Sequence, residues 1–238
     1  MPQIFHPSTN TIARASVFGG LLVIAAAVYA GNAFLRSSYV TQVDVVRDQP
    51  VPFSHDHHVS GLGIDCRYCH STVETAAFAG MPSTEVCMGC HSQVWKDSPL
   101  LAPVRESYAS GKPLAWTRVY DVPDFVYFDH SIHVAKGIAC QKCHGPVDRM
   151  PLMRKATTLH MEWCLACHRH PELAVRPREE VLRFERTSTR QAGTVSDGTF
   201  EIRQPIVRDK EIARQGEKLA KEYGIVTRQL SDCVICHR

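Results

Sequence analysis

The chain has 238 residues, 44% of them hydrophobic and 21% charged, with a formal charge of +3. This balance excludes a disordered chain, a collagen and a polytopic membrane protein, and it allows one or two domains. Ten cysteines depart from an ordinary globular composition, while the small positive charge gives no support to nucleic-acid binding.

Residues 1–14 read as a short cytoplasmic N-terminus. Residues 15–35 are uncharged, are bracketed by Arg14 and Arg36, and hold only Ser16 and Asn32 as clearly polar side chains. About 20 helical residues cross a bilayer core, so this stretch is predicted to be a retained single transmembrane anchor. A cleaved signal peptide, with a typical apolar region of about 7–15 residues, is the alternative, and the small residues Ala30 and Gly31 are compatible with it. Flanking charge is nearly balanced, Arg14 against Arg36 and Arg47, and does not set orientation. Gly19 and Gly20 would let another helix approach closely.

Every cysteine after the anchor falls into one repeated string, Cys-x-x-Cys-His. The copies are Cys66-Cys69-His70, Cys87-Cys90-His91, Cys140-Cys143-His144, Cys164-Cys167-His168 and Cys233-Cys236-His237. Two thiols at this spacing add to the two vinyl groups of a haem, and the adjoining histidine binds the iron axially. Zinc sites would need four ligands from paired motifs, an odd number of motifs cannot pair, and zinc gives no reason for a following histidine. The expectation is five covalently bound haem c groups. Their propionates outnumber the positive surplus and turn the overall charge negative. The basic residues are mostly arginine, which suits bidentate pairing with propionates. Covalent haem attachment belongs outside the bacterial cytosol, so the haem-bearing part is expected on the periplasmic face of the cytoplasmic membrane.

A duplication accompanies the motifs. Phe53-Ser54-His55-Asp56-His57-His58 precedes Cys66 and Cys87, and Phe128-Asp129-His130-Ser131-Ile132-His133 precedes Cys140 and Cys164. Both strings read Phe-x-His-x-x-His, which delimits two-haem modules at residues 51–100 and 126–171. Histidines three apart on one helical turn share a face yet diverge enough to address two irons. His55 and His130 are assigned as distal ligands of the haem that follows each, and His58 and His133 as distal ligands of the other haem of a module or of a neighbouring module. A fifth distal ligand is sought among Met150, Met161, Met81, His57 and His160. Met150 and Met161 lead, because both lie between the paired motifs of the second module. Core packing is the competing use of either methionine. His6 and His170 are expected to play no part.

The connector, residues 101–125, contains Pro103, Pro113 and Pro123 and is expected to be extended or irregular. Its Trp116 and Tyr120, with Phe125, are expected to cover haem faces. The C-terminal segment, residues 172–238, begins arginine-rich and passes through a turn-rich stretch at residues 191–198. A short helix is predicted over residues 209–223, and it delivers the fifth motif, whose position suits an entry or exit point for electrons. The predicted fold is mainly α and irregular, with a haem-packed core, duplicated two-haem modules and one N-terminal transmembrane helix.

Three strings carry a family resemblance. They are His55-Asp56-His57-His58 with Gly63-Ile64-Asp65-Cys66-Arg67-Tyr68-Cys69-His70, then Val122-Pro123-Asp124-Phe125-Val126-Tyr127-Phe128-Asp129-His130-Ser131, and Trp163-Cys164-Leu165-Ala166-Cys167-His168-Arg169. With the anchor and the terminal motif, the chain resembles the membrane-anchored pentahaem cytochrome c subunit of bacterial alternative complex III, a quinol:electron-acceptor oxidoreductase. His160 departs from that family's pattern. The resemblance implies a non-catalytic wire that takes electrons from an iron–sulfur partner, beside integral-membrane subunits, and passes them to a monohaem cytochrome c or an oxidase. A stand-alone multihaem quinol dehydrogenase is the alternative. A multihaem reductase is disfavoured, because it needs an open coordination site, in known cases at a motif whose histidine is replaced by lysine.

Overall fold

A computed structural model describes residues 4–184 and 210–237. They form two units, one ending at Gln42 and the other beginning at Val43.

The first unit is helical. Helix α1, Ser8–Arg36, runs for 29 residues, about 43 Å at the helical rise, and its most apolar window has a mean hydropathy of 1.9. It is long and apolar enough to cross a membrane, and none of its side chains is buried against protein. The helix starts seven residues before the uncharged stretch, because Thr9 already donates to the carbonyl of His6 and backbone hydrogen bonding carries on through Arg14. At the other end, Arg36 donates to Asn32 Oδ1 (3.1 Å) and the Ser37 hydroxyl to the Phe34 carbonyl (2.6 Å). A one-turn helix α2, Ser38–Thr41, follows and stops where Gln42 takes a left-handed φ of 58°.

The second unit is short helices joined by irregular chain, with isolated bridges and no strand among the described residues. A π-helical turn covers Asp56–Gly61, and α3 covers Cys66–Cys69. Helices α4, Thr84–His91, and α5, Ala102–Ser110, pack together around Val51, Leu101 and Val104, with Met88, Leu114 and Trp116 closing this small core. One expectation about the connector changes here. Pro103 does not prevent a helix, because it sits in the first turn of α5, where its missing N–H has no intrahelical partner to lose. Trp116 packs against this protein core.

Helices α6, His130–Ala135, α7, Cys140–His144, and α8, Met161–Arg169, repeat the first half's pattern. Asp129 caps α6 by accepting from the backbone of Ser131 and Ile132, as Asp65 caps α3 by accepting from Arg67. Helix α9, Lys210–Glu222, docks on the turn at Pro171–Leu173. The buried ring of Tyr223 lies under the Arg178 guanidinium, 4.5 Å from its centre, and Lys136 donates to the Tyr223 carbonyl. Helices α10, Thr227–Leu230, and α11, Cys233–Cys236, then carry the last motif. The helix expected over residues 209–223 is thus seen over most of its length, whereas residues 191–198 lie outside the described residues.

The docking of α9 depends on one close approach. A Cβ on Gly216 would stand 1.8 Å from the Glu172 carbonyl oxygen, which is backbone and cannot turn aside. Gly216→Ala is expected to push α9 off the turn and to cost about 1–3 kcal/mol, as overpacking does. Thermal unfolding of the purified protein, with limited proteolysis near α9, measures this.

Candidate haem centres

Each Cys-x-x-Cys-His string lies on one of the short helices α3, α4, α7, α8 and α11, so its two cysteines, three residues apart, share a helix face. The histidine either closes the helix, as His70 and His237 do at its C-cap, or occupies its last turn. None of the ten cysteines is in a disulfide. Burial pushes the Cys140 thiol up to about 11 and Cys143 up to about 12, and it raises Cys66, Cys69, Cys87, Cys164 and Cys167 in the same direction.

The histidines show what the fold is built to hold. His70 Nδ1 faces the Gly80 carbonyl at 2.7 Å, His91 that of Val94 at 3.0 Å, His168 that of Leu230 at 2.8 Å and His237 that of Phe125 at 3.1 Å. Outside the motifs, His58 faces the Ser54 carbonyl at 2.8 Å, His130 that of Ala77 at 2.8 Å and His133 that of Asp129 at 2.6 Å. A carbonyl only accepts, so in each neutral ring Nδ1 carries the proton and Nε2 keeps its lone pair. This is the tautomer and the outer support of a metal-ligating imidazole. His144 differs, for the Tyr120 ring packs on it at 4.4 Å between centres. His55 differs as well, its Nδ1 being buried without a hydrogen-bond partner.

The rings also come in pairs. His58 and His91 have centres 6.2 Å apart, His130 and His144 6.3 Å, and His133 and His168 6.2 Å. Two imidazoles sharing one metal ion through bonds of about 2.0 Å hold their centres roughly 6 Å apart. His55 lies within electrostatic reach of His70: burial first, then the charges of His70 and His58, bring His55 down to about 4. His144 also falls to about 4, through burial and then His130, His70 and His55.

The two Phe-x-His-x-x-His strings superpose in detail although one is a π turn and the other an α-helix. Phe53 meets His55 edge-on at 4.9 Å and stacks on His58 at 4.4 Å, while Phe128 meets His130 at 4.8 Å and stacks on His133 at 4.6 Å.

A profile of the family described as cytochrome c7 and related cytochrome c matches residues 51–102 and 126–194. The chain belongs to this family of multihaem cytochromes. It is also similar to the multihaem cytochrome c subunit of menaquinone reductase from Nitratidesulfovibrio vulgaris (strain Hildenborough). The identity is 38% over 123 residues, which are 51% of this chain and 52% of that protein. The chain therefore spans about half the length of the curated relative it matches.

The donor set fits the haem c that this cytochrome family carries, as thiol pairs beside histidines, most with Nδ1 on a carbonyl, and rings at sandwich spacing. Bound haem would supply one-electron iron chemistry, and the chain's task is to fix the axial rings and exclude competing ligands. The remaining sequence candidates stand in different settings. Met150, 1% exposed, is enclosed by protein, a setting that suits packing. Met161, 65% exposed, stands in the first turn of α8, three residues before Cys164, while Met81 is exposed in a loop. His57 stacks on Trp95 at 5.9 Å, and His160 is the N-cap of α8. His170 pairs with Glu172 at 3.2 Å on the surface.

Sequence reasoning grouped Tyr120 with the haem covers and missed its hydrogen bonds. Its hydroxyl donates to the Cys143 carbonyl (3.0 Å) and accepts from the Ala156 N–H (2.6 Å), fastening the third motif beneath the ring that packs on His144. Tyr120→Phe keeps the ring, leaves the Ala156 N–H without its acceptor and leaves the Cys143 carbonyl only the longer bond from the Thr157 hydroxyl (3.4 Å). It is expected to cost about 1–3 kcal/mol and to loosen only the third haem. Thermal unfolding, with the low-spin electron paramagnetic resonance (EPR) spectrum, tests both parts.

Proposed function

We propose that this chain is a membrane-anchored pentahaem wire within a quinol:electron-acceptor oxidoreductase of the alternative complex III type. It takes electrons from an iron–sulfur partner beside integral-membrane subunits and passes them to a cytochrome c or an oxidase. Helix α1 is the anchor, and the haem-bearing unit stands on the periplasmic side. Cys66, Cys69, Cys87, Cys90, Cys140, Cys143, Cys164, Cys167, Cys233 and Cys236 hold the haems, with His70, His91, His144, His168 and His237 as proximal ligands.

The observation that carries this reading is the pairing of histidine rings at 6.2–6.3 Å. It supports His58 with His91 on the second haem, His130 with His144 on the third and His133 with His168 on the fourth. The reach between His55 and His70, together with the duplicated Phe53 geometry, supports the same arrangement on the first. Six-coordinate irons carry electrons without binding substrate. For the fifth haem, Met161 is the better methionine, since it shares a helix face with Cys164, whose thiol feels the charge of Cys236.

Neighbour relations favour a linear order of second, first, third, fourth and fifth haem. His55 and His58 tie the first two together, and the Cys69 thiol feels Cys87. His130 reaches back to the Ala77 carbonyl with both its backbone N–H and Nδ1, and Cys140 feels Cys66. His130 and His133 tie the third haem to the fourth, and His168 reaches Leu230 at the edge of the fifth.

A second reading has one observation in its favour. The relative is named as a subunit of menaquinone reductase, so the same wire run in reverse would deliver electrons to a quinone. Purification in mild detergent is expected to bring down iron–sulfur and polytopic subunits. The complex should be reduced by a menaquinol analogue, while the isolated subunit, with five haems per chain by pyridine haemochrome, should not be. Reduction of the isolated subunit would instead establish a stand-alone quinol dehydrogenase, and a high-spin population binding nitrite would establish a reductase.

A further inference from the structure

The axial histidines differ in what faces Nδ1, and the differences fall in a pattern along the wire. On the second haem both rings donate to carbonyls, His58 to Ser54 and His91 to Val94. On the fourth both do again, His133 to Asp129 and His168 to Leu230. On the first haem only His70 does so, to Gly80, because His55 Nδ1 is buried without a partner. On the third, His130 donates to Ala77, while an aromatic ring rather than a carbonyl packs on His144. The duplicated modules thus share ring geometry and differ in outer support.

An imidazole whose Nδ1–H is held by an acceptor gives more electron density to the metal through Nε2. That favours ferric iron over ferrous iron and lowers the reduction potential. A ligand without the acceptor is the poorer donor, and the haem it binds is easier to reduce. We infer that the first and third haems, the two at which the modules meet, have higher reduction potentials than the second and fourth that flank them.

This rests on the ligand pairing proposed above. Its consequence is a profile that dips at the module junction instead of descending evenly. An electron entering from either side settles on the first or third haem and leaves by a short uphill step. The pair at the junction holds electrons, so the wire can store charge between one-electron deliveries to an acceptor.

The test is an anaerobic redox titration of the full-length protein in detergent, followed by low-spin EPR signals and by haem-methyl NMR resonances. Haems are assigned through contacts with their surroundings in the unmodified protein, the third by its contact with the Tyr120 ring. Single substitutions His58→Met and His130→Met, each expected to raise one haem's potential, give an independent assignment. The expected result is that, of the four bis-histidine haems, the first and third are reduced before the second and fourth. Reduction of the second or fourth ahead of either of the others overturns the inference while leaving the pairing intact. Fewer than four bis-histidine signals overturns the pairing itself, and the inference with it. Should the methionine variants fail to take up haem, the NMR order in the unmodified protein decides the matter.

Discussion

A hydrogen bond from histidine Nδ1 to a backbone carbonyl is the interaction on which the haem-bearing unit depends. It fixes the tautomer, turns the ring and aims Nε2. Its acceptors come from residues 54, 77, 80, 94, 125, 129 and 230, most of them outside helices. Long irregular connections therefore have a positive role, since a helical carbonyl is already committed to its own ladder and a loop carbonyl is free to face a ring. The irregularity of the chain and the order of its histidine rings have one cause.

The same constraint explains the thin protein core. Val51, Leu101 and Val104 form the only compact apolar cluster among the described residues, and the other buried side chains are scattered. A chain of this size would ordinarily bury more, and the porphyrins of a multihaem cytochrome would supply the missing apolar volume. Stability then resides in local devices. Asp65 caps the helix that leads to His70 and Asp129 the helix that carries His130 and His133, Tyr120 fastens the third motif, and the approach of Gly216 to the Glu172 carbonyl seats α9 and so the segment leading to the last motif.

The attachment chemistry was legible in the sequence because covalent chemistry imposes a local spacing, and so was a helix long and apolar enough to cross a membrane, because hydrocarbon thickness imposes a length. The paired histidines were legible as candidate ligands through their repetition. Their partners were not, since pairing His58 with His91 or His133 with His168 brings together residues 33 and 35 positions apart along loops that carry no periodic signal. Pro103 misled for a different reason. Proline breaks a helix in its interior and favours one in its first turn, and only the backbone register tells these apart. Met150 and Met161 are equivalent as thioethers in the sequence, and burial alone separates them.

The two Phe-x-His-x-x-His strings make clear what duplication conserves. One is wound as a π turn over Asp56–Gly61 and the other as an α-helix over His130–Ala135, so the backbone hydrogen-bond register has diverged. The ring geometry has not, because the phenylalanine edge against the first histidine, its face against the second, and the carbonyl preceding the first histidine at the second's Nδ1 recur within a few tenths of an ångström. A wider turn is a common local response where an insertion is accommodated at a functional site. Here it seats His57 against Trp95, which the second module lacks an equivalent for, since Ile132 stands at the corresponding position. What differs between the modules lies outside the ring geometry, in what faces Nδ1 of the histidines: His58 and His133 share a carbonyl acceptor, while His130 meets the Ala77 carbonyl and its counterpart His55 has no partner.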